Sequence, residues 1–371
     1  MSDQPSTLLS AFSRKAHAAH CKLCLSGLPA SQIDVDGSRL ALAFYCLGGL
    51  DLLGVLEEEI SPRNREEWRT WLWTQHAKGK YGSGFRPGPF MTGRDPRISL
   101  QDPADYTNYD TPHLIMTYTA LLSLAILRDD FSKLDRKGII AFLRCCQRQD
   151  GSFSTVPGSN ENDLRTLYCA FAISNMLDDW SGVDIPQAVA FLATCRTYEG
   201  GYGQSTFCEG QGGTTYTAIA ALGLASAVTK KEYLTRSEKQ VTIEWLLRNQ
   251  DDSGGFRGRT GKEADACYCF WCGGSLKILG AESLVNSEAL ATYLSRCRFK
   301  YGGIAKAPGE SPDPYHTYLS LAALSMYPPQ VHDGNSTSET WKFGVLDPLL
   351  NAREETVAWI RSHVPDRKVH S

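Results

Sequence analysis

The sequence predicts an all-α fold built from helix hairpins, and three observations predict it. An amphipathic segment ending in a polar stretch recurs along the chain. Each copy closes on a glycine-aromatic turn. Each turn is followed by a polar loop and a second, more apolar segment. The turns return about every 50 residues, a spacing within the range of helix-pair repeats.

In chain order, an early unit has GSGF at 82–85 and TPHLIMTYTALLSLAIL from Thr111. IAFLRCCQRQDGSF then ends at Phe153, VAFLATCRTYEGGY at Tyr202 and IEWLLRNQDDSGGF at Phe256, with a looser copy, YLSRCRFKYGGI, ending at Ile304. Their second segments are DLRTLYCAFAISNML, GTTYTAIAALGLA, DACYCFWCGGSLKIL and DPYHTYLSLAALSM. Apolar residues at helical spacing, such as Leu319, Ala322, Ala323 and Met326, make these helices rather than strands. Paired glycines suit the turns because they accept positive φ at little cost. Five or six such hairpins must bury their faces against one another, either in an open solenoid or in a closed toroid, and periodicity does not choose.

The whole chain, 1–371, is expected to be one domain with a short N-terminal helical extension and a C-terminal tail. Gln330–Thr340 reads as a polar surface loop. A hydrophobic content of 42% suffices for a large core. A net charge of −3 leaves no electrostatic footprint for nucleic acid or an anionic membrane. No apolar run approaches the ~18 residues of a spanning helix, so no stable membrane insertion is expected. Arg14, Lys15, His17 and His20 interrupt any signal-peptide core, and the twelve cysteines read as reduced thiols of a cytoplasmic protein.

Unusual residues cluster at the starts of the second helices: Arg165, Gln211, Arg259, Lys262, Asp265, Cys267 and His316. If the repeats close into a ring, these helix starts surround one opening. Asp265, Cys267 and His316 offer a carboxylate, a thiolate and an imidazole, a set that suits catalytic zinc with a fourth position open. The competing interpretation is a buried Cys267 packed as a small hydrophobe, with Asp265 capping its helix. Arg259, Lys262 and Tyr268 could stabilise a leaving diphosphate, although a solvated basic loop would look the same. GRTGKE fails as a P-loop, because the upstream glycine is missing and Glu263 follows the lysine. His17, His20, Cys21 and Cys24 resemble a zinc knuckle, but at helical spacing packing is the favoured interpretation. Cys145 and Cys146 read as core. Tyr168, Tyr202, Phe256, Tyr268 and Trp271 could line an apolar tunnel or simply fill the core.

Taken together, DACYCFW, DPYH, GRTGK and the repeats resemble the β subunits of protein prenyltransferases, from SRLALAFYCLGGLDLLG to AALSM. The resemblance implies an α6-α6 barrel, zinc on Asp265, Cys267 and His316, and diphosphate contacts from Arg259, Lys262 and Tyr268. Within the family the chain is most similar to type I geranylgeranyltransferases. Ala41 falls where the farnesyl enzyme carries a tunnel-closing Trp, which leaves room for a C20 lipid. Lys306 falls at that enzyme's magnesium-binding Asp, implying that Mg2+ is not required, and Leu319 replaces a Tyr. Tyr168, Gly213 and Trp271 are implied at the lipid, and His113, Arg165 and Tyr315 at the peptide, with Trp271 also near its end.

Two positions depart from the pattern. Gln211 stands at the family's diphosphate-site His, and Tyr315 looks like the farnesyl enzyme, which with the unusual Thr166 implies broader peptide selectivity. The implied partners are an α subunit, geranylgeranyl diphosphate and C-a-a-X proteins such as small GTPases. A farnesyltransferase or dual-specificity enzyme is the alternative within the family. Outside it stand a terpene cyclase, which would need an absent D-x-D-D motif, and a non-catalytic helical scaffold.

Overall fold

The computed structural model describes residues 9–27, 34–35, 37–88, 111–329 and 337–364. Twelve of its helices form six outer–inner hairpins. Outer α1 (Arg14–Ser26) leads to inner α2 (Arg39–Leu53); after the short α3 (Leu56–Glu59), outer α4 (Pro62–Thr74) leads to inner α5 (Leu114–Ile126). Then follow α6 (Arg136–Cys146) and α7 (Leu164–Leu177), α8 (Ile185–Thr194) and α9 (Gly212–Thr229), α10 (Arg236–Arg248) and α11 (Ala266–Ile278), and α12 (Ser287–Arg296) and α13 (Pro314–Met326). Each inner helix packs on the next, and α13 packs back on α2, so the ring is closed. This decides the question that periodicity left open. The inner helices are the apolar ones, buried over most of their length, and α1 packs on both α2 and α13 across the closure.

The glycine-aromatic turns join outer to inner helices through short antiparallel pairings. β1 (His76–Gly79) pairs with β2 (Gly82–Phe85), and β3 (Ile304–Ala305) with β4 (Pro312–Asp313). Single bridges join Gln147 to Phe153, Arg196 to Tyr202, Gln250 to Phe256 and Arg298 to Ile304. The residue ending each turn is driven into the core: Phe85, Phe153, Tyr202, Phe256 and Ile304 are all buried. A threonine in the inner helix ties down that residue's backbone. Thr117, Thr215 and Thr317 each accept, at 2.9 Å, the N–H of Phe85, Tyr202 and Ile304 respectively. A buried backbone donor left unpaired would cost about 1–3 kcal/mol, so this bond fixes how these three inner helices start.

One end of the ring is stoppered by the C-terminal segment. β5 (Leu346–Asp347) and β6 (Ala352–Arg353) flank a turn that enters the ring, and α15 (Glu354–His363) packs on α5 and α7. Tyr118, Tyr168, Tyr216 and Tyr318 each occupy the fifth position of their inner helix. Their hydroxyls donate to the carbonyls of Leu350, Leu349, Pro348 and Asn351, at 2.8, 3.0, 2.8 and 2.6 Å. Four hairpins are thereby held at one level around one strand of chain. Of the segment expected to be a polar loop, 330–336 lie outside the described residues, while α14 (Thr337–Thr340) is helical and is followed by a buried Trp341. Among the described residues no helix is long and apolar enough to cross a membrane.

Candidate active site

At the mouth of the ring the inner helices begin, and three of their side chains converge. The Asp265 carboxylate, Cys267 sulfur and His316 imidazole present donor atoms that all lie within 4.8 Å of one another. His316 Nε2 is 3.4 Å from Asp265 Oδ1, the edge expected of a tetrahedral zinc site with bonds of roughly 2.1 Å. The local fold places each donor. Asp265 is the N-cap of α11, and its Oδ1 accepts the Cys267 N–H at 2.9 Å. The capping role raised against the metal site is therefore real, and it is compatible with ligation because it turns the carboxylate toward His316. Asp313 caps α13 in the same way, accepting the His316 N–H at 2.9 Å, and its Oδ2 lies 2.6 Å from His316 Nδ1. That second carboxylate orients the ring and leaves Nε2 for the centre.

The electrostatics match this geometry. Burial opposes charge on His316, but hydrogen bonds to Asp265 and Asp313 outweigh it and push the pKa up to about 9. Burial likewise opposes ionisation of Asp265, yet its bonds with His316 and Cys267 hold its carboxyl below the usual range. Burial and the Asp265 carboxylate push the Cys267 thiol well up. A thiol in that position ionises only beside a strong positive charge, and the donor set fits zinc.

Beside the trio, Tyr268 lies against Gly258, where any Cβ would overlap its ring. Gln211 Nε2 donates to the Tyr268 hydroxyl at 3.0 Å. Because that oxygen is already accepting, its own proton is free to be donated elsewhere. Burial raises the Tyr268 pKa, so the proton is held at neutral pH. Arg259 Nη1 pairs with Glu209 at 3.1 Å. Lys262 and Lys306 have exposed side chains, and the Lys306 carbonyl accepts the Ala266 N–H that opens α11.

The remaining candidates lie on the inner helices or at their starts. Trp271 Nε1 donates to the Tyr315 hydroxyl at 3.0 Å, and the Tyr315 ring meets Tyr45 edge-on at 5.3 Å. A Cβ on Gly213 would sit 3.9 Å from Trp271, so that glycine faces the indole. Ala41 is half-buried on α2, Leu319 is fully buried in α13, and the Tyr168 hydroxyl bonds to the stopper. Arg165 is locked by Asp163, a buried N-cap, at 2.6 Å. Burial, then the Arg165 charge, lowers the His113 pKa to about 4, so its imidazole is neutral.

Three features escaped the sequence reading. Asp313 stands in the D-x-x-H stretch, whose spacing signals an N-cap; Glu209 and the tyrosine-held stopper carry no local signal. Cys145 is exposed whereas Cys146 is buried, so only one of that pair belongs to the core. Helix geometry gives Cys145 the outward face.

Residues 12–352 match the family described as prenyltransferase alpha-alpha toroid domain. The chain is 32% identical over 323 residues to the geranylgeranyl transferase type-1 subunit beta of Arabidopsis thaliana, covering 85% of each. It is 35% identical over 316 residues to the Dictyostelium discoideum protein of the same name, covering 81% of this chain and 87% of that one. The structure of Candida albicans protein geranylgeranyltransferase-I complexed with GGPP superposes with a TM-score of 0.81 at 25% identity, covering 95% of this chain and 99% of that one. The chain belongs to the prenyltransferase α-α toroid family, within which it is a β subunit of the protein geranylgeranyltransferase type I kind.

Proposed function

We propose that this chain forms the zinc-bearing half of a heterodimer that transfers a geranylgeranyl group from geranylgeranyl diphosphate to the cysteine of C-terminal C-a-a-X sequences, X often Leu or Phe. The carrying observation is the convergence of Asp265, Cys267 and His316 at the mouth of a closed ring. Zinc bound by these three residues supplies a Lewis acid that lowers an acceptor thiol's pKa from ~8.5.

The protein's own groups do the rest. Asp313 holds the His316 ring in register. Tyr268, oriented by Gln211, donates its proton toward the departing diphosphate, while Arg259, Lys262 and Lys306 offset its charge. With Lys306 in this role, Mg2+ is not required. The carbon–oxygen bond at C1 breaks as the carbon–sulfur bond forms, giving a thioether. Ala41, Tyr168, Gly213, Trp271 and Leu319 bound the lipid; His113, Arg165 and Tyr315 face the peptide. A prenyltransferase α subunit completes the enzyme, small GTPases are among its substrates, and the setting is cytoplasmic.

The test is co-expression with a candidate α subunit followed by competition between labelled C20 and C15 diphosphates. Preferential C20 transfer is expected. Preference for C15 would overturn the donor assignment.

A further inference from the structure

Of the three cations assigned to the diphosphate, Arg259 alone has a carboxylate partner among the described residues. Its Nη1 stands 3.1 Å from Glu209 Oε2, and the two side chains are 43% and 57% exposed. An ion pair that open to water adds little to stability, so the fold does not depend on it.

The backbone around the pair is nonetheless closely specified. The Gly212 N–H donates to the Gly258 carbonyl at 2.9 Å, which joins the start of α9 to the residue before Arg259. The Gln211 side chain reaches Tyr268 beside that bond. The loop carrying Glu209 is fixed from its other end. Gly203 lies against Cys208, where a Cβ would come within 2.4 Å of the Cys208 carbonyl oxygen. The Cys208 N–H donates to the Ser205 carbonyl at 3.2 Å, and Thr206 Oγ1 lies 2.9 Å from Thr194 Oγ1 on α8. Between them Phe207 sits at φ 65°, a left-handed conformation costly for an aromatic residue. Its side chain is fully exposed, so no burial offsets that strain. The strained turn leads straight into Glu209.

We propose that Glu209 is a positioning residue: it holds the Arg259 guanidinium in the empty site and competes with diphosphate for it, so that the leaving group is released after transfer. Glu209 takes one guanidinium nitrogen, Nη1, and leaves the Nε and Nη2 donors for a ligand. An arriving diphosphate therefore meets a cation that is correctly placed but already partly neutralised. A freed diphosphate must depart before the next donor enters, and product release limits the turnover of many enzymes. A carboxylate that reclaims the guanidinium favours that departure. This inference deepens the transferase reading and rests on it.

The test uses the full chain, purified with the partner subunit it needs, and inorganic diphosphate as a competitor of the C20 donor. Glu209→Gln should bind inorganic diphosphate up to roughly fivefold more tightly, the scale of one exposed charge pair, and should lower the donor KM in parallel. Glu209→Asp keeps the charge and should behave like the parent. In an Arg259→Ala background, Glu209→Gln should change neither constant, a non-additivity that a merely structural residue would not show. Unchanged or weaker inhibition in Glu209→Gln, or tightening that persists without Arg259, would overturn the inference. An Arg259→Ala enzyme inhibited as strongly as the parent would instead overturn the diphosphate assignment, and this inference with it.

Discussion

Asp313 Oδ2 stands 2.6 Å from His316 Nδ1, so the imidazole has one nitrogen to spare, and that nitrogen faces Asp265 at 3.4 Å. The ligand set is therefore prepared by a fourth residue that does not belong to it. Asp313→Asn should keep the helix cap but weaken zinc retention by about 10–100-fold, as measured by competition with a chelator. Cys267→Ala should abolish stoichiometric zinc. Unchanged zinc in Cys267→Ala would end the metal assignment.

Gly258 gives Tyr268 its place. Gly258→Ala should force the phenol off Gln211 and reduce kcat, with KM for the peptide little changed. Removing an interaction made only in the transition state lowers the rate rather than binding. Tyr268→Phe should show the same split. A variant whose loss lay entirely in peptide KM would place Tyr268 elsewhere.

Four phenols hold the stopper through four successive carbonyls. Tyr318→Phe removes one donor and strands the Asn351 carbonyl in a buried site, at a cost of about 1–3 kcal/mol. Urea unfolding should register that loss, and the pair Tyr118→Phe with Tyr318→Phe should lose more than either alone. A neutral Tyr318→Phe would mean that water replaces the phenol.

Acid should destabilise the fold through the buried His17 and the half-buried His76 and His113. Burial, with nearby positive charge second, lowers His17 to about 3 and His76 and His113 to about 4. Unfolded histidine titrates near ~6.5, so between these values the unfolded chain binds more protons than the folded one. Stability is complete above that window and falls as pH drops through it, by at most about 1.4 kcal/mol per unit for each group. His316, raised to about 9, acts above pH ~6.5 and does not mask the acid limb. Melting temperatures that stayed level from pH 7 to pH 4 would contradict this.

The donor-length assignment rests on Ala41. Ala41→Trp should shift preference from C20 to C15 diphosphate in the competition assay, since the indole would fill the space left for the fourth isoprene unit. Unaltered preference would move the determinant to another wall residue.

Much of this protein was legible in its sequence because its information is local and repeated. Helical spacing marked the inner segments, the glycine-aromatic turns marked the hairpins, and D-x-C with D-x-x-H placed the candidate ligands at helix starts. A helix start is a property of a few neighbouring residues, so Asp265 announces itself as a cap, and the same spacing in D-x-x-H could have marked Asp313. Closure is another matter. Whether α13 meets α2 depends on small rotations summed over six hairpins, and no single segment carries that sum. The same is true of the tyrosines: each looks like core alone, and only the ring brings Tyr118, Tyr168, Tyr216 and Tyr318 to one level around Leu349 and its neighbours. The sequence by itself determined which groups could do chemistry. The closed ring decided which of them meet, because donors 49 or more residues apart share a site only when the packing of whole helices brings their starts together.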